Sequence, residues 1–207
     1  MTKQEMRTEA TKKAILDVAE LEFSEKGLAG SRVDVIAAKA QVNKALIYRH
    51  FGSKEELYKE ILVRVYMRLR DIEDSVISYK TDYVVKLKHI VRVYFEFLYD
   101  NPSFVRMVMW ENLNDARYFK ELGMQHIKDP IINELSGIIR QASEQGRISE
   151  SIDSDQLIMT LIACSFNYFS NMKTLTNIVN KDLSQRENME KRIQATTEML
   201  LSYMEVL

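Results

Sequence analysis

Residues 31–57 read SRVDVIAAKAQVNKALIYRHFGSKEEL, a run in which small apolar residues are interspersed with basic ones. From Ser31 or Arg32 to Ala40, the residues Ile36, Ala37 and Ala40 give a short helix an apolar face of small side chains. Gln41 and Val42 interrupt that pattern, and Asn43 is placed to cap a second short helix. Two short helices joined by a tight turn, with small residues where they cross, form a helix-turn-helix unit. Such a unit lays its second helix in the major groove of DNA, with that helix's N-terminal residues nearest the base edges. Ile47 and Phe51 are spaced to anchor the helix in its domain, which leaves Lys44, Tyr48, Arg49 and His50 to face outward. Ser53 then starts the next helix, and Glu56 completes the S-x-x-E pattern of a capping box. That helix start, with Lys54 beside it, is suited to clamp a phosphate because its unpaired N–H groups point outward.

Charge around this stretch is uneven. The whole chain of 207 residues carries a formal net charge of −1, which argues against a protein that coats nucleic acid indiscriminately. Yet Lys26, Arg32, Lys39, Lys44, Arg49 and Lys54 stand against Asp34 alone between positions 26 and 54. A basic region on an otherwise acidic chain is either a solvated face or a localised surface for a polyanion. A hydrophobic fraction of 46% is enough to bury a core, and 29% charged residues keep the surface solvated. Cys164 is the single cysteine, so no intrachain disulfide is expected. No charge-free apolar run approaches the roughly 20 residues a membrane span needs, so no membrane partner is expected and the chain is placed in the cytoplasm.

Glycine and proline punctuate helices. Gly27 follows a segment with Ile15, Val18, Ala19 and Phe23 on one face, as a glycine just past a helix end does. Asn101-Pro102 and Asp129-Pro130 each read as a cap followed by a first-turn proline, and Gly146 closes the segment begun at Pro130. No sustained alternation of period two appears, so the protein is expected to be all-α. About nine helices are predicted, near 8–26, 33–40, 44–50, 54–76, 83–100, 102–117, 130–145, 154–178 and 184–205, with a further helical turn allowed within 118–126. The division falls near position 52. Residues 1–52 form a helix-turn-helix DNA-binding domain, and 53–207 a helical domain for ligand binding and dimerisation.

The segment from about Thr11 to Leu57 resembles the DNA-binding domain of TetR-family transcriptional regulators. The residues that carry the resemblance are ILDVAELEFSEKGL and IAAKAQVNKALIYRHFGSKEEL, with Tyr48, Phe51, Ser53, Lys54, Glu55 and Leu57 at the family's spacing. The resemblance implies that Tyr48 and Lys54 grip phosphates, while Lys44, Ala45, Leu46 and His50 lie where family members meet base edges. The full expected DNA-binding set is Ser31, Arg32, Asn43, Lys44, Ala45, Leu46, Tyr48, Arg49, His50 and Lys54. Gln41 departs from the family, which usually has Gly in the turn; if the position requires φ > 0, Gln adopts it at a cost. Ala45 and Leu46 replace a small residue and a hydroxyl, which shifts readout towards Lys44 and towards thymine-methyl contact by Leu46.

The remainder shows no Gly-rich phosphate loop, no H-E-x-x-H and no nucleophile elbow. No enzyme activity, cofactor or metal is expected; an all-α enzyme built on Glu111 or Cys164 would lack a partnered base. A nucleoid-type architectural binder is a further alternative, but it would be broadly basic. The 154–178 segment has Leu157, Leu161, Cys164 and Tyr168 on one line and Ile158, Ile162, Phe166 and Phe169 on another. The last helix adds Met189, Ile193, Leu200, Met204 and Leu207 in a near-heptad seam. From pattern alone the second line is either core or a subunit interface. The family resemblance implies a homodimer, with Leu157, Leu161, Cys164, Tyr168, Met189, Ile193, Leu200 and Met204 as the expected interface. FVRMVMWENL and SFNYFSNM combine Met and aromatic residues with isolated polar groups, which suits plain core or a small-molecule cavity. In the second case Met107, Trp110, Glu111, Phe166, Asn167 and Phe169 line the site of an effector. The implied function is a ligand-responsive repressor of a near-palindromic double-stranded operator.

Overall fold

The computed structural model describes residues 2–127, 129–144, 146–148 and 152–204. Among them it is all-α, with eleven α-helices, one 3-10 turn (Met124–His126) and no strand. Two compact units divide the chain, Met1–Arg68 with Arg106–Gln125, and Leu69–Val105 with His126–Leu207.

The first unit contains α1 (Lys3–Gly30), α2 (Val33–Lys39), α3 (Lys44–Phe51), the start of α4 (Lys54–Ser78), the end of α6 (Pro102–Leu113) and α7 (Arg117–Glu121). Helix α1 begins five residues before its predicted start because Thr2 and Glu5 form a capping box. The Glu5 N–H donates to Thr2 Oγ1 at 3.2 Å, and the Thr2 N–H donates to Glu5 Oε2 at 2.7 Å. Gly27 does break the helix, at φ 65 and ψ 178, but a further turn to Gly30 follows it. Ile15, Ala19, Phe23, Ile36, Ile47, Leu57, Tyr58 and Ile61 are buried, so the apolar faces inferred for the first three helices meet in one core. Each such side chain contributes about 1.5–3 kcal/mol when fully buried.

The turn between α2 and α3 uses positive φ where it was suspected: Gln41 sits at φ 55. The Val42 N–H still reaches Ala37 O at 3.0 Å, which closes the turn. Asn43 caps α3 by accepting the Leu46 N–H at 2.7 Å, and Gly52 ends it at φ 81. Ser53 caps α4 by accepting the Glu56 N–H at 3.0 Å. Only half of the expected capping box forms: the Ser53 N–H donates to Phe51 O at 3.0 Å, and Glu56 pairs with Lys59 at 3.0 Å.

The second unit holds the rest of α4, α5 (Tyr83–Asp100), the start of α6, α8 (Asp129–Glu144), α9 (Ser154–Ser170), α10 (Met172–Val179) and α11 (Arg186–Met204). Its core is built from Leu87, Ile90, Val91, Phe95, Leu98, Leu135, Leu157, Leu161, Met189, Ile193 and Leu200. Two polar pairs are packed against it, one of them with Glu134 half-buried. Lys86 pairs with Glu134 and donates to Ile77 O at 3.3 Å, and the Tyr94 hydroxyl donates to Glu73.

Two predicted helices prove shorter, and at the second an asparagine side chain competes for a backbone carbonyl. The 154–178 segment breaks at Asn171, whose Nδ2 donates to Asn167 Oδ1 at 2.7 Å. The 102–117 segment ends at Leu113, where Asn114 Nδ2 donates to Trp110 O at 2.6 Å and Asp115 and Ala116 turn to φ 57 and φ 51. Leu207, expected in the α11 seam, lies outside the described residues.

Candidate nucleic-acid interface

Helix α3 is held from one side. Ile47 is 1% exposed and Phe51 is buried beside it, while Lys44, Ala45, Tyr48 and Arg49 are exposed and Leu46 and His50 half-buried. Spacing in steps of three and four along the helix separates these two faces, as the sequence pattern required. The outward groups are those a major groove accepts: cations, a phenol and small apolar surface.

Burial and pairing sort the basic residues. Glu22 has a fully buried side chain, and its carboxylate takes Lys26 at 2.7 Å and Lys39 at 3.2 Å, which ties α1 to α2. Burial alone would raise its pKa, but the hydrogen bonds from Lys26 and Lys39 outweigh burial and hold the carboxyl below the usual range. Lys44 pairs with Asp34 at 3.0 Å and lies 5.9 Å from the Tyr48 ring centroid. The hydrogen bond that Lys44 donates to Asp34 raises the Lys44 pKa, so this ammonium stays charged and is tethered to α2. Half of the basic residues between 26 and 54 are thus offset by a carboxylate, two of them by Glu22, which lies outside that window. Arg32, Arg49 and Lys54 remain as the local surplus.

Three of the expected contact residues also make bonds within the chain. Ser31 is buried, and its hydroxyl donates to Glu22 O at 3.1 Å and Gly27 O at 2.6 Å, so its side chain belongs to the packing of α1 rather than to an outer face. Lys54 is half-buried, and its ammonium donates to Ser31 O at 3.2 Å, which fixes the start of α4 to the chain just before α2. Asn43 is exposed, but its side-chain oxygen is occupied as the α3 cap.

The expected effector-site residues fall into both units. Met107, Trp110 and Glu111 belong to the first, and Phe166, Asn167 and Phe169 to the second. Glu111 needs no ligand: Oε1 accepts the Tyr58 hydroxyl at 2.9 Å, and Oε2 accepts the N–H groups of Tyr118 and Phe119, each at 3.1 Å. Burial, with Glu111 second, drives the Tyr58 phenol far above its ordinary pKa. The Trp110 indole donates to Ser24 O at 3.2 Å, and its ring lies against Gly27. Asn167 is exposed and accepts from Asn171. Glu111 and Asn167 thus each have hydrogen-bond partners within their own unit.

The expected interface residues also prove to be core. Leu157, Leu161, Tyr168, Met189, Ile193, Leu200 and Met204 are buried within their own chain, and Cys164 is half-buried. Among the apolar residues left exposed on α9 and α11 are Met159 (52%), Ile162 (42%), Met199 (45%) and Tyr203 (51%), while Ile158 of the second line is buried and Phe166 and Phe169 are half-buried. A helix with two apolar lines does not show in its sequence which line faces its own core.

A helix-turn-helix with a cationic outer face, preceding a larger helical unit, defines a DNA-binding regulator. Residues 15–61 match the family model described as bacterial regulatory proteins, tetR family, and residues 84–200 match that of the tetracyclin repressor-like C-terminal domain. The chain belongs to the TetR family of transcriptional regulators. It is 25% identical over 182 residues to the HTH-type transcriptional repressor NicS of Pseudomonas putida, covering 87% of this chain and 86% of that one. It is 29% identical over 169 residues to the HTH-type transcriptional regulator RutR of Escherichia coli, covering 80% and 77%. The transcriptional regulator FadR from Bacillus subtilis, solved in complex with stearoyl-CoA, shares the fold with a TM-score of 0.69 at 21% identity, covering 94% and 100%. No helix among the described residues is long and apolar enough to cross a membrane.

Proposed function

We propose that this chain is a homodimeric, sequence-specific repressor released from a near-palindromic operator by a small molecule. The observation that carries the reading is α3, anchored by Ile47 and Phe51 and turned outward at Lys44, Ala45, Tyr48 and Arg49. Lys44, Ala45, Leu46 and His50 read bases, and Arg32, Tyr48, Arg49 and Lys54 hold phosphates. A roughly −0.9 slope of log affinity on log salt accompanies each phosphate contact. In function, residues 1–52, with Lys54 at the start of α4, serve DNA binding, and the rest of 53–207 serves ligand binding and dimerisation.

The dimer uses the exposed stripe of Met159, Ile162, Met199 and Tyr203, which the chain's own core leaves uncovered. A second copy presents the same stripe, so a two-fold interface is self-complementary. Two α3 helices then sit about 34–36 Å apart and read a near-palindrome. FadR's complex with stearoyl-CoA supports an effector for the larger unit. An effector acts by binding more tightly to the dimer geometry that does not fit the operator, and operator binding weakens effector binding by the same factor. Helix α4, whose residues belong to both units, is the transmitting element in this reading. Selection of bound sequences from random double-stranded DNA tests it. A palindromic consensus is expected; recovery of no consensus would remove sequence-specific regulation as the function.

A further inference from the structure

We propose that the first turns of α1 extend the DNA interface beyond the helix-turn-helix, by gripping the backbone of the duplex that flanks each half-site. The inference rests on the DNA-binding reading above and adds residues to it. A groove of about 800 Å³ runs between the start of α1 and the end of α3, lined by Lys3, Gln4, Arg7 and Thr8 on one side and Arg49 and His50 on the other. No carboxylate lines it. Lys3, Arg7 and Arg49 form no ion pair among the described residues, unlike Lys26, Lys39 and Lys44. The groove therefore gathers cationic charge that the fold does not offset.

Helix geometry explains the gathering. Lys3 and Arg7 are four apart and share a face, with Gln4, Thr8 and Thr11 beside them. Glu5 and Glu9 lie about 200° and 240° around the helix from Lys3, at 100° per residue, and so face away. The Thr2–Glu5 capping box starts the helix early enough for Lys3 to be helical. Helical partial charge at that end adds to the attraction for phosphate. The residues concerned precede position 15, where the family match begins, so this surface is a property of the chain rather than of the matched domain. The occupant is double-stranded DNA, because the groove's far wall is Arg49 and His50 of the recognition helix, and a phosphate strand leaving the major groove passes beside that helix.

The test compares the wild type with Lys3→Gln/Arg7→Gln on the selected operator, either trimmed to its consensus or extended by about ten base pairs on each side, roughly one helical turn. Both positions are exposed and Gln is a good helix former, so the fold is retained; far-ultraviolet circular dichroism checks this. The wild type should bind the extended duplex more tightly than the trimmed one, and the variant should not distinguish them. The salt slope on the extended duplex should fall by about 3.6 for two lost phosphate contacts on each of two protomers, and Arg7→Lys should keep most of it. An unchanged slope and an unchanged preference for flanks, with specific binding intact, would overturn this inference alone. Tight binding of the variant to anionic vesicles is no rescue: a wild type that prefers such vesicles to flanked operator also overturns it. A wild type that selects no sequence overturns the DNA-binding reading and this inference together.

Discussion

Gly27→Ala should be among the most damaging single-methyl changes in this chain. Gly27 holds φ 65 and ψ 178, a region that side chains other than hydrogen scarcely enter, at a cost of about 1–3 kcal/mol. A Cβ there would also stand 2.9, 3.0 and 3.1 Å from three ring carbons of Trp110. The indole cannot retreat freely, because its N–H is bonded to Ser24 O at 3.2 Å. Overpacking of this kind costs about 1–3 kcal/mol. Ala restricts the unfolded chain, which returns about 0.4–1 kcal/mol. The net destabilisation is about 2–5 kcal/mol, or a fall in Tm of about 4–20 °C for a protein of 150–250 residues. Urea denaturation followed by circular dichroism measures it, since the partner variant Trp110→Leu lacks the chain's single tryptophan. In the Trp110→Leu background Gly27→Ala should cost only its backbone share, giving a coupling of about 1–3 kcal/mol. A cost below about 0.5 kcal/mol for Gly27→Ala, or strict additivity of the pair, would refute the close-approach argument.

Other outcomes follow from the same geometry. Tyr58→Phe removes one of three donors from the buried Glu111 carboxylate and should lower stability by about 1–3 kcal/mol, measurable in urea. Asp34→Asn releases Lys44 and should raise affinity for random DNA more than for the selected operator; equal gains on both would contradict a tethered reader. Met159→Glu with Met199→Glu should give folded monomers in sedimentation, whereas Leu161→Asp should unfold the chain, since only the last is buried. The stabilisation from Glu22 should be complete above about pH 4.5, its unfolded value, and lost as pH falls through the lower folded one. Glu22→Gln should therefore remove that part of the acid-induced loss.

The helix-turn-helix was legible because its signals are local and agree: small residues at the crossing, a capping Asn43, an anchor pair at Ile47 and Phe51, and a capped start at Ser53. The all-α architecture was equally plain from punctuation and the absence of period-two alternation. What the sequence concealed depends on partners distant along the chain. Glu22 offsets Lys26 and Lys39, a pairing no window starting at Lys26 could contain. Glu111 looked like an orphan because Tyr58 and the α7 N–H groups that satisfy it come from other elements. On α9 both apolar lines are at least partly buried, Ile158 beside Leu157, Leu161 and Tyr168, and the pattern does not show that Met159 and Ile162 are left exposed. Lys3 and Arg7 were overlooked although their early capping signal, Thr2 with Glu5, was present.

Gln41 carries a consequence for how this regulator can change. Its backbone stands at φ 55, where a side chain costs about 1–2 kcal/mol relative to glycine. The residue is exposed and the turn is closed by main-chain bonds, so the side chain itself is not what shapes the motif. A Gly at this position would relieve that cost less the about 0.4–1 kcal/mol its freer unfolded chain takes back, a net gain of up to about 1.6 kcal/mol, without altering one group on α3. A lineage that acquired it could then accept a destabilising replacement at Lys44, Ala45 or Tyr48, and with it a new operator, that the present chain would lose to unfolding. The turn, which lies outside α3, thereby bears on how far the outer face of α3 can vary.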